Sequence, residues 1–468
     1  MCSQFVLSLK KEITLTEDLE KQLILKSSQH KLTFKPTGMG LRTALKHLVN
    51  GGATIAQLSE WMQQDKGYSA LKLYPYLQKF SCLGWLCHSV IAEKPIAIAI
   101  PTVPNALFST SQPTDTARYS LSQFALMRQI DGQMILESPL SLIQIHLIDW
   151  RAVALVAKLA SPRTCAELTD GLDGGITTII KPFLSLLLNA QMLTEVLANG
   201  TLEETNTTLT QWEFHDLLFH TYSRIGRHSQ PIGGTYRFKD KIEPLPMLKP
   251  RMSQEAIALY RPDLETLKAT DIPFTRVLES RKSVREYGEA IDFRQLGEFL
   301  YRTARIKNIT QIEGQEFSQR PYPSGGGLYE LELYPVINDC QGIVSGIYHY
   351  HPQEHQLYKL SEKNKIVESL LTDASLSMGG QPKPPILIVI TARFQRLAWK
   401  YERIAYALML KHVGALYQTM YLVATAMNLA PCGLGCGDSD LFARAINSNY
   451  YAETSVGEFA LGTRKMDD

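Results

Sequence analysis

Glu279-Ser-Arg-Lys-Ser-Val-Arg-Glu-Tyr-Gly288 is the stretch on which the reading of this chain turns. Arg281 and Arg285 stand four apart with Ser283 between them. At a turn or helix end that spacing lets two guanidinium forks and a hydroxyl converge on a phosphate dianion. A solvated run of charge has the same composition, so the stretch gains meaning only together with the glycine loop downstream of it. Arg320-Pro-Tyr-Pro-Ser-Gly-Gly-Gly-Leu328 sets consecutive glycines after Pro-Ser. The backbone N–H groups of such a loop can approach a planar or phosphorylated ligand with no Cβ in the way. Strand-like LYELELYPVIND and GIYHYHPQEHQLYKL come next, then PPILIVITARF, a fully apolar run that reads as a central strand. Trp399-Lys-Tyr-Glu-Arg403 is expected to open a long helix from Tyr401 to Ala430. Being apolar on nearly every face, that helix suits the core of a large domain or a dimer interface. Pro431-Cys-Gly-Leu-Gly-Cys-Gly437 reads as a glycine-rich turn, and Phe459-Ala-Leu-Gly-Thr-Arg-Lys465 comes after it.

Around this half the composition is that of a globular protein. The 468 residues predict roughly three domains at about 150 residues each. With 45% hydrophobic and 20% charged residues, a disordered, collagenous or coiled-coil protein is excluded. Lys+Arg 48 against Asp+Glu 46 leaves +2, too little imbalance for the whole protein to bind a polyanion. The 7 cysteines are scattered and match neither a disulfide framework nor zinc knuckles, so a reducing cytoplasm is the expected home. Near the N-terminus lysines come after a short apolar run, the wrong order for a secretory signal. Gln418, Thr419 and Asn428 interrupt the least charged stretch, Val413 to Gly437, which reads as a buried helix rather than a membrane span. Cys432 and Cys436 fit a loop of small residues better than a redox pair. His215 and His220, five apart with no third ligand, predict no metal site.

The N-terminal half contains an internal repeat. Thr54-Ile-Ala-Gln-Leu-Ser59 is echoed by Thr164-Cys-Ala-Glu-Leu-Thr169, and Pro75-Tyr-Leu77 leading to Leu86 is echoed by Pro182-Phe-Leu184 leading to Leu193. Each copy reads as a helix (Leu41 to Val49; Asp149 to Leu159), a short helix capped by Thr, and a longer helix continuing to the leucine. Strand-like flanks complete the unit, among them Phe124 to Leu136 with Asp131-Gly132 as a hairpin turn and the Ile/Ala alternation of Ile96 to Ile100. Both copies resemble winged helices. Their third helices offer only Lys72 and Lys79, and Lys181, too few cations to engage DNA phosphates. Peptide capture is the other use of such a module, with an extended segment added as a strand beside the wing. The expected division is 1–110 and 111–200 for the two modules, 201–270 for an extended linker, and 271–468 for the C-terminal domain.

The order R-x-S-x-R, P-S-G-G, W-K-Y-E-R, long helix, G-L-G, G-T-R resembles the FMN-dependent nitroreductase superfamily. Within it the sequence is similar to the peptide azoline oxidases of the cyanobactin and microcin pathways. The resemblance implies an α+β fold in which a central sheet with long helices dimerises and holds one FMN at each of two subunit interfaces. It implies that Arg281, Lys282, Ser283 and Arg285 hold the FMN phosphate, ribityl chain and pyrimidine edge, with Arg464 closing on the phosphate. Ser324, Gly325 and Gly326 would border the flavin, and the turn Cys432, Gly433, Leu434, Gly435 would present backbone N–H groups near flavin N5. Where that family's loop usually carries an Asn, this chain has Gly327-Leu328. The implied partners are an azoline-containing precursor peptide, a second copy of the chain and O2, with neither nucleic acid nor membrane.

Lys400-Tyr401 has no counterpart in ordinary nitroreductases and turns the reading toward the oxidase. Aromatising a thiazoline removes the proton on the carbon beside the peptide carbonyl and a hydride from the adjacent ring carbon, so a base is required. Lys400 as a free amine, or a Tyr401 phenolate beside it, can take that proton. Adjacent on a helix start they would point about 100° apart, one as base and one as its positioner. Two rival readings accompany this one: an NAD(P)H-dependent nitro or quinone reductase on the same fold, and a flavin-free winged-helix regulator or scaffold.

Overall fold

The computed structural model describes residues 5–35, 38–65, 73–108, 111–170, 176–196, 207–312 and 315–465; Lys72 and the polar start of the expected linker, 201–206, lie outside the described residues. The chain divides into two compact units, Met1–Gln230 and Pro231–Asp468.

In the first unit the duplication runs deeper than the sequence echo. The first copy has a strand Val6–Leu9, a three-stranded meander (Thr14–Glu17, Leu23–Lys26, Lys31–Phe34), helices Met39–Val49, Ile55–Gln63 and Leu73–Cys82, and a strand Leu86–Ile91. The second copy repeats it with strand Tyr119–Leu121, meander Leu126–Ile130, Gln133–Glu137 and Ile143–Leu147, helices Trp150–Lys158, Cys165–Thr169 and Ile176–Asn189, and strand Leu193–Glu195. In both, the last strand pairs antiparallel with the first. Thr54 and Thr164 each cap their helix in a reciprocal capping box, with Gln57 and Glu167 as the returning side chains. Asp131 and Gly132, at φ 49° and 79°, form the hairpin turn expected of that pair.

One expectation fails here in both copies. Leu86 and Leu193 do not continue the third helix; they open strands. The helices stop because the chain reverses at Gly84 (φ 66°) and Gln191 (φ 55°), and at Gly84 a Cβ would sit 2.5 Å from the Val103 carbonyl oxygen.

The second unit is built on a seven-stranded sheet in the spatial order Ala256–Ala258, Gln356–Glu362, Gly346–His351, Leu331–Ile337, Ile386–Arg393, Glu453–Thr463, Leu429–Leu434. Every residue of Ile386–Arg393 is buried because both sheet faces are covered. Ile386, Ile388 and Ile390 face the helices Phe293–Ala304 and Ala405–Ala426, while Leu387 and Val389 face Lys365–Ser377 and Ser439–Ala445. Alternate side chains of a strand point to opposite faces, so a strand buried on both sides reads as a continuous apolar run. Among the described residues no helix is long and apolar enough to cross a membrane.

Two further expectations are corrected. The long helix spans Ala405–Ala426, not Tyr401 to Ala430. Arg403, at φ 61°, cannot belong to a right-handed helix, and Asn428, at φ 52°, turns the chain out of it at the other end. Cys432, Gly433 and Leu434 lie not in a turn but in the edge strand Leu429–Leu434, with Gly435 immediately after it. Pro431 is tolerated there because an edge strand has one side free of ladder hydrogen bonds.

Candidate functional site

Three groups of side chains in the second unit are brought to the flanks of the long helix. The first supports the glycine loop. The Gly325 N–H donates to His412 Nε2 at 2.7 Å, which obliges the ring hydrogen to sit on Nδ1. Nδ1 in turn donates to Glu330 Oε1 at 2.7 Å. Glu330 is 0% exposed and His412 6%, so the pair is shielded from water. Ser324 Oγ accepts the Tyr329 N–H at 3.0 Å and donates to the other Glu330 oxygen at 3.4 Å. The loop is thus pinned at both ends while Gly326, at φ 63°, takes a conformation that favours glycine.

The second group is the lysine-tyrosine pair. Lys400 comes just after the short helix Phe394–Ala398, and Tyr401–Glu402 is a strand paired with Gly233–Gly234. The pair therefore does not start a helix, as the sequence suggested. It is nonetheless brought to one point: a Cβ built on Gly326 would lie 2.7 Å from Lys400 Nζ and 2.9 Å from the Tyr401 hydroxyl. Lys400 Nζ also lies 5.3 Å from the ring centre of Tyr236, and the Tyr236 N–H donates to the Lys400 carbonyl at 3.1 Å.

The third group is cationic. The segment after helix Phe274–Ser280 lies along the edge strand, with the Val284 N–H donating to the Pro431 carbonyl at 2.8 Å. The Tyr421 hydroxyl ties the segment down, 2.7 Å from Ser283 Oγ and accepting the Gly433 N–H at 2.7 Å. The Arg281 guanidinium lies 5.3 Å from the Tyr421 ring centre. Arg464 Nε donates to the Leu429 carbonyl, and its Nη2 is buried with no partner among the described residues. Among those residues none of Arg281, Lys282, Arg285 and Arg464 is held by a carboxylate. A cradle of unneutralised cations with an orphaned guanidinium nitrogen fits a dianionic phosphate such as that of FMN. Cys432 is buried, and burial pushes its thiol up, tempered by Arg285.

His412 and Tyr421 are nine residues apart on one helix, about half a turn in angle and about 13 Å in height. The glycine loop with Lys400 and Tyr401 therefore lies on one flank of the core-facing stripe, and the cation cradle on the other. Glu330, His412, Tyr236 and Tyr421 escaped the sequence reading. The one signal that pointed to any of them was a histidine and tyrosines within a helix that is mostly apolar.

Comparison with known proteins divides the chain into three matched regions. Residues 1–110 match the ThcOx helix turn helix domain, 119–229 the cyanobactin oxidase ThcOx model, and 278–462 the nitroreductase family. MJ1384 of Methanocaldococcus jannaschii, named as a nitroreductase, is 28% identical over 182 residues, 39% of this chain and 85% of that one. The trifolitoxin-processing protein TfxB of Rhizobium leguminosarum bv. trifolii is 26% identical over 28% of this chain and 35% of its own length. The microcin B17-processing protein McbC of Escherichia coli is 31% identical over 24% of this chain and 42% of its own. The chain thus spans less than half of either peptide-processing relative.

Proposed function

We propose, on the premise that this chain is a nitroreductase-family oxidoreductase with the N-terminal regions of a cyanobactin oxidase, that it aromatises thiazoline or oxazoline rings in ribosomally made peptides. FMN is the proposed cofactor, O2 the terminal electron acceptor, and the cytoplasm the place. The observation that carries the reading is the meeting of Lys400 Nζ and the Tyr401 hydroxyl at Gly326. Arg281, Lys282, Ser283, Arg285 and Arg464 are the residues to hold the phosphate, ribityl chain and pyrimidine edge. The backbone of Ser324 to Gly326 and of Cys432 to Gly435 would border the ring system. FMN, when bound, supplies the acceptor for the hydride leaving the azoline ring carbon. The chain's own work is to take the proton from the neighbouring carbon, a task shared by Lys400 and Tyr401, one as base and one as its positioner. A homodimer belongs to the proposal, since the long helix leaves Tyr406 and Leu410 exposed at 47% and 40%.

The test is an anaerobic visible spectrum of the purified protein before and after a thiazoline-containing peptide is added. The yellow band is expected to bleach and to return in air, with the peptide lighter by about two hydrogens. A yellow protein bleached by NADPH but not by the peptide would make it a reductase instead.

The peptide is proposed to be captured by the N-terminal copies, and the repeat distinguishes them. In the second copy the third meander strand, Ile143–Leu147, already has an extended partner: the chain's own Pro95–Pro101, PIAIAIP, runs antiparallel along it from Ile143↔Pro101 to Leu147↔Ala97. In the first copy the equivalent strand, Lys31–Phe34, is an edge with no further partner among the described residues. It lies beside the third helix through Phe34, whose ring is 5.5 Å from Tyr76 and 6.4 Å from Phe80. The open edge supports capture of an extended peptide with alternating apolar side chains, as the second copy captures one internally. Thr33→Pro removes a backbone donor from that strand and is expected to weaken peptide binding by about tenfold or more, whereas Gln144→Pro, in the covered strand, instead disrupts folding. Undiminished binding by a folded Thr33→Pro protein, read by fluorescence polarisation of a labelled precursor peptide, would remove the first copy from this role.

A further inference from the structure

Beside the lysine-tyrosine pair the second unit contains an open cavity of about 830 Å³ lined by Tyr236, Ile242, Ile312, Phe317 and Trp399 together with the charged Lys239, Asp240, Lys241 and Glu243. Its walls continue into the reacting groups. Tyr236 is the ring over which Lys400 Nζ sits, and it meets Trp399 edge-on at 5.9 Å. Phe317 backs onto the glycine loop, 3.6 Å from where a Cβ on Gly327 would be.

The cavity is held open by the chain itself. Trp399 Nε1 donates to the Ile242 carbonyl at 2.6 Å, Arg396 to the Leu245 carbonyl at 2.6 Å and Arg393 to the Pro246 carbonyl at 2.9 Å. Arg396 is itself buried, which pulls its guanidinium down to about 10, and it is spent on backbone carbonyls rather than on a ligand. These bonds strap residues 242–246 across the helix Phe394–Ala398 and fix the wall, so the space is preformed. Yet the wall leaves apolar surface in water: Ile312 is 59% exposed and Ile242 56%. Exposed aliphatic and aromatic groups gathered in a single concavity mark a binding site. The charged part of the lining sets two lysines against two carboxylates and so carries no net charge.

We infer that this cavity receives the substrate residue next to the azoline, and that it selects a large apolar or aromatic side chain there. The inference rests on the azoline-oxidase reading for the identity of the ring and adds the recognition of its neighbour. An azoline held within reach of Lys400 Nζ and the Tyr401 hydroxyl would have its flanking residue directed along Tyr236 toward Phe317, Trp399 and Ile312.

The test uses the full chain with FMN and three short peptides bearing a central thiazole, the product ring, flanked by Phe, Gly or Asp. Dissociation constants are read by calorimetry. The Phe-flanked peptide is expected to bind about tenfold more tightly than the Gly-flanked one, and Asp to bind most weakly. Ile312→Asp and Phe317→Ala are each expected to abolish the preference for Phe. Ile312 is exposed, so its substitution leaves the fold intact. Absence of binding by the unmodified protein, or a Phe-over-Gly preference that survives both substitutions, overturns the inference. Binding with the expected preference but no oxidation of the corresponding thiazoline peptides would leave the cavity's role standing and overturn the azoline-oxidase reading instead.

Discussion

Lys400→Ala and Tyr401→Phe are each expected to lower kcat for azoline oxidation by about 100-fold to 10,000-fold, the usual worth of a positioned general acid or base. The geometry sharpens the expectation, because both reactive atoms lie within 3 Å of a single point, the Cβ position at Gly326. Removing either leaves the other without its partner at that point. Neither side chain lies in the cation cradle, so the FMN content and visible spectrum of both variants should match those of the unmodified protein. The two losses should also be non-additive, the double variant being little worse than the worse single one, as groups acting in one proton transfer are. Stopped-flow reduction by a thiazoline peptide measures the step directly. Retention of more than about half the rate in both variants would remove the pair from the chemistry.

A second large effect is expected from His412→Leu, and it is one of stability. The substitution strips Glu330 of its Nδ1–H donor and the Gly325 N–H of its acceptor, leaving a carboxylate with 0% exposure. Leaving a buried group without its hydrogen-bond partner costs about 1–3 kcal/mol, and two groups are left here. In a unit of this size that lowers the midpoint of thermal unfolding by roughly 4–24 °C. His412→Gln keeps an amide oxygen for Gly325 and an amide N–H for Glu330, and should recover much of the loss. Calorimetric scans of both variants decide the matter. A His412→Leu midpoint within a degree or two of the unmodified protein's would mean that the pair contributes nothing to the loop.

The sequence exposed those parts of the molecule that local rules govern. The hairpin at Asp131-Gly132 was visible because only a few residue pairs accept two successive positive φ angles, and the capped helices at Thr54 and Thr164 because a cap and its returning side chain lie three residues apart. The central strand Ile386–Arg393 was visible because burial on both faces makes its first five residues, Ile386 to Ile390, an unbroken apolar run. Arg281, Ser283 and Arg285, the proposed phosphate-type cluster, stood out in the sequence for the same reason of proximity along the chain.

What escaped was set by distant contacts. Glu330 and His412 are 82 residues apart and neither belongs to a motif, so their hydrogen bond exists only once the loop is laid against the long helix. Tyr236 comes from a Pro/Gly-rich stretch that gives no sign of reaching Lys400. The local conformation of Lys400-Tyr401 was misread because an apolar helix begins so soon after it. The left-handed Arg403 that separates the two has no signature in an Arg residue.

The covered edge in the first unit bears on how the protein came to have two copies at all. A duplicated module doubles every exposed strand edge, and an exposed edge invites other chains to pair with it. Here the wing of the first copy, Pro95–Pro101, closes the vulnerable edge of the second and joins the two into one sheet of seven strands. The copies consequently share one sheet within one compact unit rather than standing as beads on a string. The boundary between the first two matched regions, 110–119, is therefore not a seam along which the chain can be divided without leaving a raw edge. The third meander strand of the second copy is thereby closed from within the chain, while the equivalent strand of the first copy stays an edge among the described residues.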